Sequence, residues 1–305
     1  MTRRSHTHAD GARTLWEYFA RHDVWHGAET DAKRDAEKQN REYSNPGCGS
    51  GGHEVRVHIW RYTERQQAQS CGNAGNTSQG HRSAADGEPA QRAEQARIQG
   101  VGAIVVPAVD PSNFEAVREL AHSVPGVGYC LGLHPCSVNG LEETALELLK
   151  NQLEAHHADP RLLAVGEIGL DLFEQGLSQD RMNDLFIEQL RLARHYELPV
   201  VLHVRKAQDQ VLAGLRRFGI RQGIAHAFNG SEQQARAYVT QGLVLGFGGA
   251  MTYSRALRIR HLAAWLSGDD WVLETDSPDI PPEWLAKDEP NEPREILGIA
   301  QCICA

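Results

Sequence analysis

Hydrophobic and polar positions alternate in blocks from residue 89 almost to the end of the chain. Stretches with apolar residues at helical spacing, such as NFEAVRELAHSV, are each followed by a short continuous apolar run. Seven such runs are predicted to be strands, at residues 103–109, 127–133, 162–167, 198–204, 222–227, 243–248 and 271–276. Continuous apolar strands with a helix on either side in the sequence indicate a parallel sheet that is covered on both faces.

A parallel sheet of this kind is either a doubly wound sheet or a closed barrel, and the sequence favours the barrel. A doubly wound sheet normally carries a glycine-rich phosphate turn after its first strand, and no GxGxxG follows a strand here. A (β/α)8 barrel needs eight strands, whereas seven are predicted. We therefore expect an α/β fold of the TIM-type barrel class that is incomplete at its first strand and last helix.

Residues 1–88 differ in composition from the rest of the chain. Leu, Ile, Val and Phe account for 6 of these 88 residues, far below the roughly 20% at which folding becomes doubtful. We expect a low-complexity segment at 1–88, disordered or aberrant, and a barrel domain at 89–305. The first segment has 12 basic and 12 acidic residues, so the formal charge of −9 falls on the barrel. An acidic barrel needs bound cations or a local basic patch to accept a phosphate substrate.

The six cysteines form neither a CxxC pair nor a zinc-finger spacing, and they are interpreted as ordinary thiols. The sequence shows no apolar signal segment and no apolar run long enough to span a bilayer. These features predict a soluble protein of a reducing compartment, the cytoplasm, with no membrane partner. They do not determine the oligomeric state, and a monomer is the simplest expectation.

Residues that bind divalent metals end four of the predicted strands. They are Glu167, His203, His226 and Asp276, and His134 directly follows a fifth strand. The carboxyl ends of barrel strands meet at one face, where catalytic groups lie. A single buried histidine is more often an ordinary core side chain than a ligand, but four such strand ends together indicate a metal cluster. Imidazole and carboxylate ligands favour Zn²⁺, Mn²⁺ or Fe²⁺ over Ca²⁺.

Five segments, in this order, resemble a known family. GEIGLD, PVVLHVRKA, GIAHAFNGS, LETDSP and NEPRE are similar to motifs of the TatD family of metal-dependent hydrolases, the TatD-like DNases. The resemblance covers residues 89–300. It implies a (β/α)8 barrel that holds two divalent metal ions (Mg²⁺, Mn²⁺ or Zn²⁺) and hydrolyses phosphodiester bonds of DNA, with single strands or strand ends as the expected substrate.

The resemblance also implies roles for individual residues. Glu167 would bridge the two metals, His203 and His226 would bind one of them, and Asp276 would bind the other. Asp276 would in addition orient or deprotonate the attacking water, which is the work of a general base. His134 and Arg205 would lie near the substrate phosphate.

The chain departs from the family pattern at both edges of the match. Family members open with a buried strand that runs into His-x-His, which gives the first metal two ligands. The pair in this chain is His6 and His8, which follow the polar stretch MTRRS and stay candidate ligands. The segment 53–60 places its two histidines on opposite faces, and we expect a short exposed strand or no element there. After NEPRE only ILGIAQCICA remains, where the family has a final helix.

These departures leave several functional predictions open. Without a first strand the barrel cannot close, and a single metal held by Glu167, His203 and His226 is then expected. The leading prediction is a metal-dependent deoxyribonuclease. The alternatives are a hydrolase of small esters or amides on the same barrel and a catalytically impaired, truncated family member. A binder that acts through basic patches is disfavoured because the patches at 216–218 and 258–260 are short and expected on outward helix faces.

Overall fold

The strands of this computed structural model, which describes residues 58–59, 89–286 and 289–304, form a closed parallel barrel. Eight strands lie around it in sequence order, and the last pairs with the first. They are β1 His58–Ile59, β2 Ile104–Pro107, β3 Val127–Leu131, β4 Leu162–Asp171, β5 Val200–Arg205, β6 Gly223–His226, β7 Leu243–Phe247 and β8 Trp271–Glu274.

One α-helix in the described part of the chain follows each strand. The helices are α1 Pro89–Ile98, α2 Phe114–Ser123, α3 Ala145–His156, α4 Gln179–His195, α5 Gln208–Phe218, α6 Glu232–Gln241, α7 Leu257–Trp265 and α8 Ile296–Cys304. This repeat confirms the predicted TIM-type (β/α)8 fold. Among the described helices, none has the length and apolar character that a bilayer crossing requires.

The expectation that the barrel cannot close is wrong. His58 of β1 pairs with Ile104 of β2 on one side and with Leu273 of β8 on the other. The segment 53–60 therefore supplies a barrel strand of two residues instead of an isolated exposed strand. The remainder of residues 1–88 lies outside the described residues, so the disorder predicted for it stays a prediction.

The final helix is also present, which corrects the expectation that the barrel is incomplete at its last helix. Ile296 and Ile299 of α8 are one turn apart and both are fully buried. The helix contacts β8 and the short 3₁₀ turn Gly249–Thr252 that follows β7. Since these contacts cover the last strand, the apolar sequence ILGIAQCIC completes the outer layer of the barrel.

Two apolar layers separate the inside of the barrel from its helices. The inner layer is drawn from the strands and includes Val201, Ile224 and Val272, whereas the outer layer packs strand residues against the helices. Alternate residues of a strand share a face. His203, His226 and Glu274 each lie two residues beyond an inner-layer side chain. These polar side chains are therefore on the inner face of the barrel, just beyond the apolar inner layer, at the carboxyl end.

Candidate active site

The predicted site residues that the structure describes lie together at the carboxyl end of the barrel, beside a cleft of about 820 Å³. Five of them line the cleft: His134, His203, Arg205, His226 and Asp276. Glu167 lies beneath it, in contact with His134 and His203. His6 and His8 lie outside the described residues, so their proposed role as ligands stays a prediction.

Glu167 is buried between two histidines. Its side chain is 1% exposed, and its Oε1 atom lies 3.3 Å from Nε2 of His134 and 3.2 Å from Nδ1 of His203. A carboxylate so far from water is costly unless positive charge or hydrogen-bond donors meet it. His134 supplies such a donor beside Glu167, which lies in the middle of strand β4.

His134 is held as a hydrogen-bond donor. Its Nδ1 accepts a hydrogen bond from the backbone N–H of Cys136 at 3.1 Å, within the 3₁₀ turn Pro135–Ser137. A neutral imidazole then carries its proton on Nε2, the nitrogen that faces Glu167. The ring therefore offers its N–H to the anionic oxygen of Glu167.

Asp171, the last residue of β4, orients His203. Its Oδ2 lies 3.0 Å from Nε2 of His203, and its Oδ1 accepts hydrogen bonds from the backbone N–H groups of Phe173 and Glu174. Burial raises the pKa of the Asp171 carboxyl, but the contact with His203 and the backbone donors outweigh burial, and the pKa lies well below its ordinary value. An ionised Asp171 places a proton on Nε2 of His203 and leaves Nδ1 facing Glu167.

His226 is enclosed by carboxylates. Its Nδ1 lies 2.8 Å from Oε2 of Glu274, and its Nε2 lies 3.2 Å from Oδ1 of Asp276. Burial lowers the pKa of His226, but Glu274, Asp276 and Glu167 outweigh burial and hold this pKa well above its ordinary value. The carboxylates around this imidazole make this part of the cluster attractive to positive charge.

The backbone shapes the site as well as the side chains. Lys206, Ala227 and Asp276, each just beyond a strand, have φ values of 53°, 44° and 54°. Such left-handed conformations cost about 1–3 kcal/mol each and persist where the surrounding structure holds them. Gly246 also makes room for the cluster, because a Cβ atom at this position would collide with Oε2 of Glu274.

Sequence reasoning missed two carboxylates of the cluster, Asp171 and Glu274. Asp171 lies four residues after Glu167, and Glu274 lies two residues before Asp276. Residues two or four apart in a strand share a face, so GEIGLD and LETDSP each contained a second carboxylate on the same face as the first. This even spacing is the sequence signal that could have identified both additional carboxylates.

Cys136 is a third residue that the sequence did not reveal. Its Sγ atom lies 3.7 Å from Oδ2 of Asp171. The potential ligand atoms of His134, Cys136 and His203 all lie within 4.8 Å of one another. The interpretation of the cysteines as ordinary thiols gave no reason to place one at the site, and the position of Cys136 two residues after His134 was the only hint.

Basic side chains line the mouth of the cleft. Arg205, Lys206 and Arg258 all contribute to its wall, and Nη1 of Arg205 lies 3.7 Å from Oδ2 of Asp171. Arg258 is exposed, as expected for residues 258–260, and it also lines the cleft. Arg205, Lys206 and Arg258 form the local basic patch that an acidic barrel needs in order to attract a phosphate group.

Comparisons with known proteins agree with this architecture. The family model described as TatD related DNase matches residues 79–305. YjjV of Escherichia coli K12, named an uncharacterized metal-dependent hydrolase, is 40% identical over 215 residues, which are 70% of this chain and 81% of the relative. The crystal structure of YjjV, described as a TatD homologue, has a TM-score of 0.65 and covers 71% of this chain and 82% of its own. A Cronobacter sakazakii protein named 3'-5' ssDNA/RNA exonuclease TatD is 31% identical over 205 residues, 65% of this chain and 76% of the relative. The chain belongs to the TatD family of metal-dependent hydrolases.

Proposed function

We propose that this chain is a deoxyribonuclease that hydrolyses phosphodiester bonds of single-stranded DNA or strand ends with the help of divalent metal ions. The observation that carries the proposal is the buried cluster at the carboxyl end of the barrel. It combines three histidines with four carboxylates, and it lies beside a cleft with basic walls. The name of the Cronobacter relative, a single-strand exonuclease, supports this choice of substrate.

The residues present fit divalent metal ions. Carboxylate oxygens and imidazole nitrogens are ligands for Zn²⁺, Mn²⁺ and Mg²⁺. His203 and His226 each contact a carboxylate through one ring nitrogen, Asp171 and Glu274 respectively. This is the arrangement that fixes a metal-binding imidazole and directs its other nitrogen to the ion. The ligands that we assign are Glu167, His203, His226 and Asp276.

The remaining chemistry is assigned to side chains of this chain. When bound, the divalent ions would supply positive charge that polarises the phosphate and acidifies the attacking water. Asp276 takes the proton from that water through a carboxylate held at the end of the last strand. His134 lies in the wall of the cleft next to the expected position of the phosphate and donates its Nε2–H to Glu167. Arg205 stabilises the negative charge of the phosphate.

A cleavage assay tests the proposed function. Full-length chain with Mn²⁺, Mg²⁺ or Zn²⁺ is expected to cleave an end-labelled single-stranded DNA, and a chelator is expected to stop the cleavage. A duplex, an RNA and a small aryl ester are measured in parallel. Hydrolysis of the ester without cleavage of DNA would overturn the proposal in favour of a small-molecule esterase. Absence of hydrolysis of every substrate with every metal would identify an impaired family member.

Replacing Glu274 with glutamine is expected to weaken metal binding by roughly 10- to 100-fold, because outer carboxylates tune the histidine ligands they contact. The change removes the charge that faces Nδ1 of His226 at 2.8 Å but keeps the side-chain volume. Metal affinity is measured by competition with a chromophoric chelator. Glu232→Gln is the matched control, since Glu232 contacts His261 at the same distance of 2.8 Å on the exposed surface. Equal metal affinity of the two variants would contradict the assigned role of Glu274.

A further inference from the structure

The loop after β4 carries an aromatic ring at the mouth of the cleft. Phe173 lines the cleft, and it is 44% exposed. The guanidinium carbon of Arg205 lies 4.0 Å from the centre of the ring, and Nζ of Lys206 lies 4.5 Å from it. We call these three side chains, Phe173, Arg205 and Lys206, the cleft platform.

The cleft platform is fixed in position relative to the buried cluster. The backbone N–H of Phe173 donates to Oδ1 of Asp171 at 2.8 Å, and Arg205 lies 3.7 Å from Oδ2 of the same carboxylate. Asp171 in turn contacts His203 at 3.0 Å. Lys206 reaches the ring because its left-handed backbone turns the chain at the end of β5. Asp171 therefore links the platform to His203, one of the groups that we assign to metal binding.

The platform combines two kinds of recognition in one place. A phenyl ring and a guanidinium plane both provide flat surfaces on which an unpaired base can stack. The charges of Arg205 and Lys206 attract the phosphates of the same strand. Glu174 lies 4.0 Å from Arg205 and offsets part of this charge. A half-exposed aromatic ring with two cations over it, one of them a guanidinium with a flat outer face, is thus suited to a nucleotide and poorly suited to a small neutral ester.

We propose that the cleft platform stacks an unpaired nucleobase next to the phosphodiester bond that is hydrolysed, an inference that rests on the proposed nuclease function. Bases inside a duplex have their faces covered by neighbouring base pairs, so the platform favours single strands and frayed ends. The ring and the guanidinium contact the face of a base and make no hydrogen bonds to its edge. The subsite is therefore tolerant of base sequence.

Binding of normal and abasic strands separates base stacking from phosphate attraction. The protein is the full chain with metal, carrying Asp276→Asn so that cleavage does not consume the probe. The probes are a fluorescent single-stranded thymidine oligonucleotide and an abasic oligonucleotide of equal length, and affinity is read by fluorescence anisotropy. Phe173→Ala is expected to weaken binding of the normal strand by roughly 5- to 100-fold while changing binding of the abasic strand less than about twofold. Phe173→Tyr keeps the ring and is expected to retain the preference.

Leu257→Ala provides the control, because Leu257 is an exposed apolar side chain outside the lining of the cleft. It is expected to bind both strands like the protein with Phe173 intact. Equal losses on both strands in Phe173→Ala, or no loss on either, would overturn the stacking role and leave the nuclease function standing. If the protein with Phe173 intact binds neither strand, both the stacking role and the proposed function would be overturned.

Discussion

Replacing Asp276 with asparagine is expected to slow strand cleavage by roughly 100- to 10,000-fold, the range in which a general base contributes to a rate. Asparagine keeps the volume of the side chain and one oxygen atom, but it cannot take a proton from water. Nε2 of His226 lies 3.2 Å from the buried Asp276 carboxylate and defines its position in the cluster. Because the site is buried, no other base can readily reach the water from solvent.

Cleavage of labelled single-stranded DNA at saturating metal measures the effect of Asp276→Asn. The thermal unfolding midpoint is recorded for the same samples to show that the variant is folded. Asp269→Asn is the control, because Asp269 is exposed in the loop that precedes β8. A rate for Asp276→Asn close to that of the Asp269→Asn control would remove Asp276 from the proposed mechanism.

Replacing Glu167 with glutamine is expected to reduce cleavage by at least about 100-fold, since even an outer carboxylate of a metal site is worth up to that factor. Oε1 of Glu167 faces His134 and His203 at 3.3 and 3.2 Å. A neutral amide in this place removes the charge that is central to the cluster. It also presents an N–H group where His134 already directs its own N–H.

Thermal unfolding with and without added metal measures the consequence for binding. A ligand that binds only the folded state raises the unfolding midpoint, so metal is expected to stabilise the wild type and to have little effect on Glu167→Gln. Glu188→Gln is the control, because Glu188 lies on α4 in a partly exposed ion pair with Arg191. An unchanged metal-dependent shift in Glu167→Gln would show that the ions bind elsewhere.

Most of the barrel could be predicted from local patterns, whereas its closure could not. The strands β2 to β8 are apolar runs between helical stretches, and their positions follow from the sequence within a few residues. β1 is two residues long, and its place depends on pairing with Ile104 and Leu273, which are distant in the chain. No local property of residues 53–60 reveals these partners. The last helix was missed because only ten residues follow NEPRE, although Ile296, Ile299 and Ile303 recur at helical spacing within ILGIAQCIC.

The candidate site shows the same division. Positions at the ends of strands are enough to bring Glu167, His203, His226 and Asp276 to one region of the barrel. The same rule did not identify Asp171 and Glu274, because the predicted strands ended at Glu167 and Asp276, whereas β4 continues to Asp171 and β8 ends at Glu274. The contacts of Cys136 and Phe173 depend on loops whose conformation follows from hydrogen bonds to Asp171 and His134. Sequence spacing does not encode those hydrogen bonds.

Metal content per chain tests the central claim, that the buried cluster binds the ions on which hydrolysis depends. The full chain is purified without chelator as wild type, as Glu167→Gln and as His261→Asn, an exposed histidine outside the cluster. We predict one or two ions per chain in the wild type and in His261→Asn, and a strong reduction in Glu167→Gln. Two ions would mean that ligands outside the described residues, with His6 and His8 as candidates, complete a second site. Metal-free wild type that still cleaves DNA in the presence of a chelator would contradict the account.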